Sequence, residues 1–459
     1  MRKVYLFLLL GILSGCAPTN IKVTNGENLF PANEKFSLQN DLNITEIPSL
    51  QSLIQMQGLE TLVTRGLENN YDWKVQLAQI QVVRAKIGLS ISGSRPSLST
   101  QIGWREGKEK TRESGFTEEP LPNWQGAASF NWEIDMWGKW KAIKDSSIMH
   151  LYEAEYYKEA AKISFIHEIA QSWVLLASQT EHVEILNKLI ESQRKSTQFY
   201  KLRVDVGEED NSTLAKQSLA YQRLLIKQAR LQRLLEMTKL RLQYLVGDSL
   251  DTTLPATQNI SKIRLPQLPK VFPTTALKER PDLKAKEARL RENLFLEKSK
   301  TYDLYPSFAF QASGISMSSN LSEPFRQWKA SIGPVLTIPI WSPQKKSQLK
   351  VTIAQSELYR EEWKASVSLA IEEIESATKS FLMSKNELSL ATAAHQEAGK
   401  ISSVTKAKFK AGIASMLDLW ADEKELYETQ SQLITARLKV FQFALDLSKS
   451  LGLQMRPNS

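Results

Sequence analysis

The chain has 459 residues, of which 42% are hydrophobic and 24% charged, enough material for a large buried core. Its net charge of +9 is interspersed along the sequence and forms no basic block or tail, so nucleic acid is not an expected partner. Cys16 is the only cysteine, which excludes an intrachain disulfide.

The N-terminus has the pattern of a bacterial export signal. Two basic residues precede an apolar run over 4–13, which is too short to span a membrane as a mature helix. The run ends in L-S-G-C at 13–16, the form of a lipobox, in which the cysteine becomes the acylated N-terminus. We therefore predict a signal peptide over 1–15 and a lipid anchor such as palmitate on Cys16. An ordinary signal with a chance cysteine is the alternative.

The segment that follows, 16–57, is polar and lacks periodicity, which predicts a lipid-anchored extended tether. Ala17 occupies the position after the cysteine, where an aspartate would favour retention in the inner membrane, so we expect transport to the outer membrane. Beyond the signal no apolar run approaches 18 residues, and no transmembrane helix is expected.

A first repeat is predicted over 58–254. Helical periodicity starts at Leu59 and stops before Pro96, and a β-hairpin follows over 95–137. Each of its two strands is about ten residues long, the length of a tilted strand that crosses a bilayer. The residues predicted to share the apolar faces are Leu98, Thr100, Ile102 and Trp104 in one strand and Ala128, Phe130, Trp132, Ile134 and Met136 in the other.

The opposite faces of these strands are polar and are expected to line a water-filled lumen; the candidates are Gln101, Asn131, Glu133 and Asp135. Tryptophans cluster in or beside the predicted strands, as an aromatic girdle at a membrane interface requires. They are Trp104, Trp124, Trp132, Trp137, Trp328 and Trp341. A soluble hairpin with one apolar face is the alternative.

A helical hairpin is predicted over 139–247. Its first arm contains neither glycine nor proline and would span roughly 100 Å as one helix. Gly207 ends this arm, and the returning arm runs to Gly247. The apolar residues recur at helical spacing, which indicates coiled-coil-like packing.

After a linker over 255–275, the same order of elements returns in a second repeat over 276–454. A β-hairpin over 305–341 precedes a helical hairpin over 344–452, with a short tail at 455–459. The apolar strand residues here are Phe308, Phe310 and Ala312, then Ile332, Leu336, Ile338 and Ile340.

The glycines of the second helical hairpin repeat the spacing of the first. Gly412 and Gly452 are 40 residues apart, as are Gly207 and Gly247, and the two pairs are offset by 205 residues. A period of this length indicates a duplicated, domain-sized unit. Four strands cannot close a barrel, and open sheet edges are not viable in lipid. Several copies are therefore expected to assemble around a central tube.

Several motifs, in this order, resemble the TolC-like outer-membrane efflux family, in particular its lipoprotein branch. They are E-I-D-M-W-G-K at 133–139, L-K-E-R-P-D-L at 277–283, Y-P-S at 305–307, I-G-P at 332–334 and F-K-A-G-I-A-S-M-L-D-L at 409–419. The resemblance runs from about Leu59 to Leu453. The sequence W-S-P-Q-K-K at 341–346 departs from the aspartate and glycines usual in the family after the last strand.

The resemblance implies a membrane β-barrel of 12 strands continued by a long α-helical barrel, closed as a homotrimer in the outer membrane. It implies a passive export duct for drugs or other small toxic compounds. The expected partners are a periplasmic adaptor, an RND-type inner-membrane transporter and outer-membrane lipid. No enzymatic activity and no cofactor are expected.

The resemblance also implies where the functional residues lie. Asp418 matches the position of a pore-constricting aspartate, and Asp422, one helical turn further, is a second candidate for a periplasmic gate. Gly207, Gly412 and Ser415 would contact the adaptor at the helical tip. A capping box formed by Ser415 and Asp418 is an equally direct interpretation of the same spacing and is compatible with a gate.

The histidines give no indication of a metal site. His150, His167, His182 and His395 are dispersed along the long helices and are expected on helix surfaces. Two other functions remain open. The outer-membrane exit of a type I protein secretion system has the same architecture, although the lipobox favours efflux. A lipid-anchored coiled-coil scaffold that forms no channel is the third.

Overall fold

The computed structural model describes residues 58–104, 106–110, 118–120, 124–247, 254–255, 257–266, 275–318 and 327–453. All of them belong to one compact unit, Asn43–Ser459, which holds both repeats. A second unit, Met1–Leu42, lies wholly outside the described residues. The predicted signal peptide, Cys16, the tether and the tail at 455–459 therefore also lie outside them.

The first repeat opens with two helices where the sequence analysis expected one. Helix α1 spans Leu59–Asn69 and α2 spans Tyr71–Ser92. Asn70 separates them because its backbone is extended, and its side chain caps α2 by accepting a hydrogen bond from the N–H of Trp73 at 3.0 Å.

The two predicted β-hairpins form one antiparallel sheet of four strands, which lie side by side in chain order. Its strands are β1 (Ser97–Trp104), β4 (Trp124–Ile134), β5 (Ser307–Ser318) and β6 (Gln327–Thr337). The short strands β2 (Lys108–Lys110) and β3 (Glu118–Pro120) pair separately within the first hairpin loop. The pairing of β4 with β5 joins the two repeats.

The register confirms the predicted alternation. One row across the four strands is apolar, and the row beside it, on the opposite face, consists only of serine. The rows are Leu98–Phe130–Ala312–Ile332 and Ser99–Ser129–Ser313–Ser331. The serine hydroxyls pair across β1–β4 at 2.7 Å and across β5–β6 at 2.8 Å.

Three residues predicted on the apolar strand faces lie beyond the strand ends. Met136 follows the end of β4 at Ile134, and Ile338 and Ile340 follow the end of β6 at Thr337. Alternation continues past the residues that pair, so the pattern alone extends these strands too far.

Asp135, predicted to line the lumen, has another role. It lies after β4, and its carboxylate accepts hydrogen bonds from the backbone N–H groups of Trp140 at 3.1 Å and Lys141 at 2.9 Å. It thereby caps the helix that follows. The second junction is built differently: Pro343 occupies the first turn of its helix, and the Ser342 side chain makes no cap.

The helices that follow the strands are very long. They are α3 (Lys139–Asp205) and α4 (Asn211–Val246) in the first repeat, then α5 (Thr275–Glu279), α6 (Pro281–Tyr302), α7 (Pro343–Lys410) and α8 (Met416–Ser450). At 67 and 68 residues, α3 and α7 each extend roughly 100 Å. A short 3₁₀ turn, Ile260–Lys262, lies in the linker. In the described part of the chain, no helix combines the length and apolar character needed to cross a bilayer.

The core lies between these helices, where Trp173 and Ile169 of α3 and Phe441 and Leu445 of α8 are fully buried. In each repeat, hydrogen bonds also hold the end of the returning helix to the residue that separates the two opening helices. In the first repeat the Asn70 amide donates to the carbonyls of Tyr244 and Leu245.

In the second repeat Arg280, which separates α5 from α6 as Asn70 separates α1 from α2, donates to the carbonyl of Ser450 at 2.8 Å. Its guanidinium also bonds the carboxylates of Asp282 at 2.7 Å and Glu373 at 2.8 Å. Burial lowers the pKa of Arg280, but the two carboxylates outweigh it and the pKa is raised overall. Asn70 and Arg280 thus hold equivalent positions in the two repeats, and each bonds the end of its returning helix, one through an amide and the other through a guanidinium.

The four histidines were expected on helix surfaces, but the structure places them at contacts between helices. Each is half-buried and contacts a neighbouring helix. Three face α8: His167 bonds Asp446, His182 bonds the carbonyl of Ser431, and His395 lies 3.4 Å from the Thr429 hydroxyl. The fourth, His150, contacts α6.

Candidate functional site

The turns of the two helical hairpins lie side by side at one end of the helical body. The ring of Phe199 in α3 and the indole of Trp420 in α8 pack edge to face, with centroids 5.5 Å apart. Nearby, the Ser192 hydroxyl donates to a carboxylate oxygen of Glu423 at 2.9 Å. These contacts join the first repeat to the second close to both turns.

The first turn reverses the chain at Gly207, whose φ of 78° is left-handed. Its N–H donates to the carbonyl of Val204, and the N–H of Glu208 donates to that of Arg203. Asp210 then caps α4 by accepting from the N–H of Thr213 at 2.7 Å, which lowers the pKa of the Asp210 carboxyl.

The second turn repeats this geometry at Gly412, with a φ of 73°. Its N–H donates to the carbonyl of Phe409, and the N–H groups of Ile413 and Ala414 both reach the carbonyl of Lys408. The predicted use of glycine at the two reversals is therefore confirmed, because the left-handed region strains any residue with a Cβ.

Ser415 and Asp418 form the capping box that their spacing predicts. The N–H of Asp418 donates to the Ser415 hydroxyl at 3.1 Å, and the Asp418 carboxylate accepts from the Ser415 N–H at 2.9 Å. The Ser415 hydroxyl donates to the same carboxylate at 2.7 Å. These hydrogen bonds, that of the Ser415 side chain foremost, lower the pKa of Asp418. At neutral pH the carboxylate is therefore charged.

The structure groups the predicted site residues at the two turns. Gly412, Ser415 and Asp418 lie together on an exposed surface around the second turn, and Gly207 lies on an exposed surface at the first. Asp422 is half-buried one helical turn beyond Asp418.

Other residues at the turns were not found by the sequence analysis. The apolar side chains of Leu202, Val206 and Ile413 are 65%, 70% and 75% exposed in the single chain. Two of them are adjacent to the turn glycines, in V-G at the first turn and G-I at the second. An apolar residue beside a glycine in a solvent-exposed turn is the signal that could have identified them.

Arg203 forms ion pairs with the two glutamates that follow the first turn. Its guanidinium lies 3.6 Å from a carboxylate oxygen of Glu208 and 3.6 Å from one of Glu209, and it also faces the ring of Phe199. The acidic residues beyond Gly207 are thus partly neutralised within the chain, whereas Asp418 is bonded only by neutral donors of Ser415 among the contacts described.

This architecture has known relatives. A family model described as "Outer membrane efflux protein" matches residues 62–248 and 272–453, the two repeats in turn. The chain belongs to this family. Its fold is that of TolC-like channels.

The pyoverdine export outer membrane protein OpmQ of Pseudomonas aeruginosa is 21% identical over 86% of this chain and 85% of its own length. The solvent efflux pump outer membrane protein SrpC of Pseudomonas putida is 20% identical over 92% and 91%. Among solved structures, the CmeC outer membrane channel of Campylobacter jejuni superposes with a TM-score of 0.79 at 18% identity, over 94% of this chain and 96% of that one. The similarity to the CmeC channel, at this level of identity, shows a shared fold.

Proposed function

We propose that the chain is the outer-membrane channel lipoprotein of a three-part efflux pump and that it conducts small compounds passively as a trimer. The observation that carries the proposal is the open four-stranded sheet, whose edge strands are β1 and β6 and whose apolar face is exposed. An open sheet is not viable in lipid, and three copies would close it into 12 strands.

The two faces of the sheet suit opposite surroundings. The row from Leu98 to Ile332 would face lipid, and the serine row from Ser99 to Ser331 would face a water-filled lumen. In a closed trimer the three serine rows would contribute twelve uncharged, hydrogen-bonding hydroxyl groups to the lumen wall. Such a lining suits passage of chemically varied solutes.

The gate would lie at the second turn. Asp418 is exposed in the first turn of α8 and charged at neutral pH. Three copies around the axis would form an acidic ring that attracts cations and narrows the pore. Asp422 would add a second, deeper ring, and both acids would sit on helices fixed by Trp420 and Glu423.

The turns would form the surface that meets a periplasmic adaptor. Gly207, Gly412 and Ser415 place the backbone at the exposed surface, and Leu202, Val206 and Ile413 supply apolar area there. Exposed apolar residues grouped in this way are typical of a protein contact. An RND-type inner-membrane transporter would supply the energy for export.

Acylation of Cys16 would anchor each chain in the outer membrane. Incorporation of labelled palmitate into the wild type, and its loss in Cys16→Ala, is the expected result. Labelling that persists in Cys16→Ala would contradict the anchor.

The function is tested by dye accumulation in the native host with the gene deleted. Deletion should raise the accumulation of a fluorescent efflux substrate such as ethidium, and the wild-type gene should restore it. Ile332→Lys places a charge on the lipid face, at a cost of about 2–4 kcal/mol at mid-membrane, and should fail to restore efflux. Ser331→Lys, one residue away on the lumen face, is the matched control and should restore it.

Equal behaviour of Ile332→Lys and Ser331→Lys would contradict the assigned faces. Unchanged dye accumulation after deletion, together with loss of a protein from the medium, would indicate secretion in place of efflux. Unchanged accumulation without any such loss would favour the scaffold.

A further inference from the structure

Three potential metal ligands converge where α3 of the first repeat meets α6 of the second. They are His150 and Glu153, three residues apart on α3, and Glu292 on α6. The imidazole Nδ1 lies 3.2 Å from a carboxylate oxygen of Glu292 and 3.5 Å from one of Glu153. Ligand atoms of all three residues lie within 4.8 Å of one another.

The two carboxylates of this cluster lie side by side in a partly buried position. Glu153 is only 9% exposed, yet its close neighbours include a second carboxylate, that of Glu292. Two carboxylates held together in a half-dry site gain most from a shared positive ion.

The two separations measured from the His150 imidazole are those of a small tetrahedral ion's ligands. Zinc bonds to histidine nitrogen and carboxylate oxygen at about 2.0–2.2 Å, so in a tetrahedral shell neighbouring ligand atoms lie about 3.3–3.5 Å apart. The contacts of His150 Nδ1, at 3.2 and 3.5 Å, match that spacing. The His150 side chain is 41% exposed, which leaves a path for the ion and room for a water as fourth ligand.

We propose that His150, Glu153 and Glu292 form a structural binding site for a divalent transition metal ion of the zinc type, one per chain. The imidazole nitrogen favours zinc over magnesium, which prefers an all-oxygen octahedral shell. The bound ion would link the two repeats through α3 and α6, about three helical turns from the start of α3.

The surroundings balance the charge of the site. Arg289, one turn before Glu292 on α6, interacts electrostatically with the Glu153 carboxylate. Its guanidinium stacks on the ring of Tyr359 at 4.5 Å and donates to that hydroxyl at 3.4 Å. Arg289 is thus held by α7 beside the cluster, where its positive charge offsets one of the two carboxylates.

No metal site was predicted from the sequence, and the ligand spacing between His150 and Glu153 was missed. The H-L-Y-E spacing at 150–153 places two ligands on one helix face, and the third comes from 139 residues further along the chain. Only the pairing of α3 with α6 brings it close.

The test is zinc binding to the purified, chelator-treated full-length oligomer in detergent, by calorimetry and by metal analysis after dialysis. We expect about one Zn²⁺ per chain, a raised melting temperature with zinc and no comparable effect of Mg²⁺. Glu153→Gln and the more exposed His150→Gln should each weaken binding about tenfold or more. Glu159→Gln, on the same helix but paired with Lys158, is the matched control and should bind like the wild type.

Co²⁺ supplies an independent readout, because a tetrahedral site with a nitrogen ligand gives visible absorption that zinc should abolish. Absence of saturable zinc binding in the wild type would overturn the proposal and leave a hydrogen-bonded triad. Binding that both His150→Gln and Glu153→Gln retain unchanged would overturn it equally, by locating the ion elsewhere. Neither readout depends on transport, so the outcome is separate from that of the proposed function.

Discussion

The indole of Trp420 packs edge-on against the ring of Phe199, with their planes at 71°. Trp420 lies two residues beyond Asp418 on α8, and Phe199 lies eight residues before Gly207 on α3. The position of the acid at the second turn is therefore set by a contact with the other repeat. One turn further along α8, Glu423 accepts a hydrogen bond from Ser192 and reinforces this attachment.

Trp420→Ala should release the start of α8 and raise the open probability of the channel. The aromatic pair itself contributes about 0.5–1.5 kcal/mol beyond its buried area, and deletion of the indole adds the lost burial. Single-channel recordings measure the open probability directly. In a double-mutant cycle with Phe199→Leu the two effects should not add. Strict additivity would show that the contact does not hold α8.

Gly412→Ala should destabilise the second turn by about 1–2 kcal/mol, because alanine resists the left-handed conformation there. The destabilisation does not come from a steric clash, since a Cβ added at Gly412 would meet nothing within 4 Å. Gly399→Ala is the matched control: it lies within α7, also with open space, and should stabilise by about 0.5–1 kcal/mol. Amide hydrogen exchange near each position measures both, and shifts of the same sign would contradict the assignment.

Arg280→Gln should lower the free energy of unfolding by about 1–3 kcal/mol, since it removes two ion pairs and the bond to Ser450. The loss is modest because Asp282 and Glu373 are both about two-fifths exposed and water screens their charges. Lys284→Gln removes only an exposed pair with Glu279 and should change stability by less than about 1 kcal/mol. Thermal unfolding followed by circular dichroism compares them, and equal melting temperatures would contradict the fastening role.

The contribution of Asp418 to the stability of the second turn within one chain should be constant between pH 5 and 8. Hydrogen bonds from Ser415 lower the pKa of Asp418 below that of an unperturbed aspartate, which is about 3.9. Its stabilising contribution as a carboxylate is present above that value and is lost only as pH falls through the lower folded-state pKa. Amide hydrogen exchange at the second turn measures it, and a destabilisation by Asp418→Asn that differs between pH 5 and pH 8 would contradict this assignment.

Local patterns predicted much of this fold, and contacts between repeats account for most of what they missed. Strand alternation, the turn glycines and the capping box at Ser415 each depend on residues close in sequence, so a single sequence displays them. The pairing of β4 with β5, the contact of Trp420 with Phe199 and the approach of Glu292 to His150 depend on residues more than 100 positions apart.

Asp135 shows the limit within a single motif. Its alternation with Glu133 predicted a strand residue, but the adjacent N–H groups at the start of α3 offered the carboxylate better partners. Competition of this kind between a strand and a helix cap cannot be resolved by periodicity. The same holds for Asn70, whose capping of α2 divides a continuous helical pattern.

The most direct test is single-channel conductance of the purified oligomer in a planar bilayer, comparing wild type, Asp418→Ala and Ser415→Ala. Ser415→Ala breaks the capping box but keeps the acid, so it separates the cap from the gate. A gated channel predicts small wild-type currents, large currents in Asp418→Ala and near-wild-type currents in Ser415→Ala. Equal currents in all three would contradict a gate at Asp418, and silence from all three, with monomers on native gels, would contradict the channel itself.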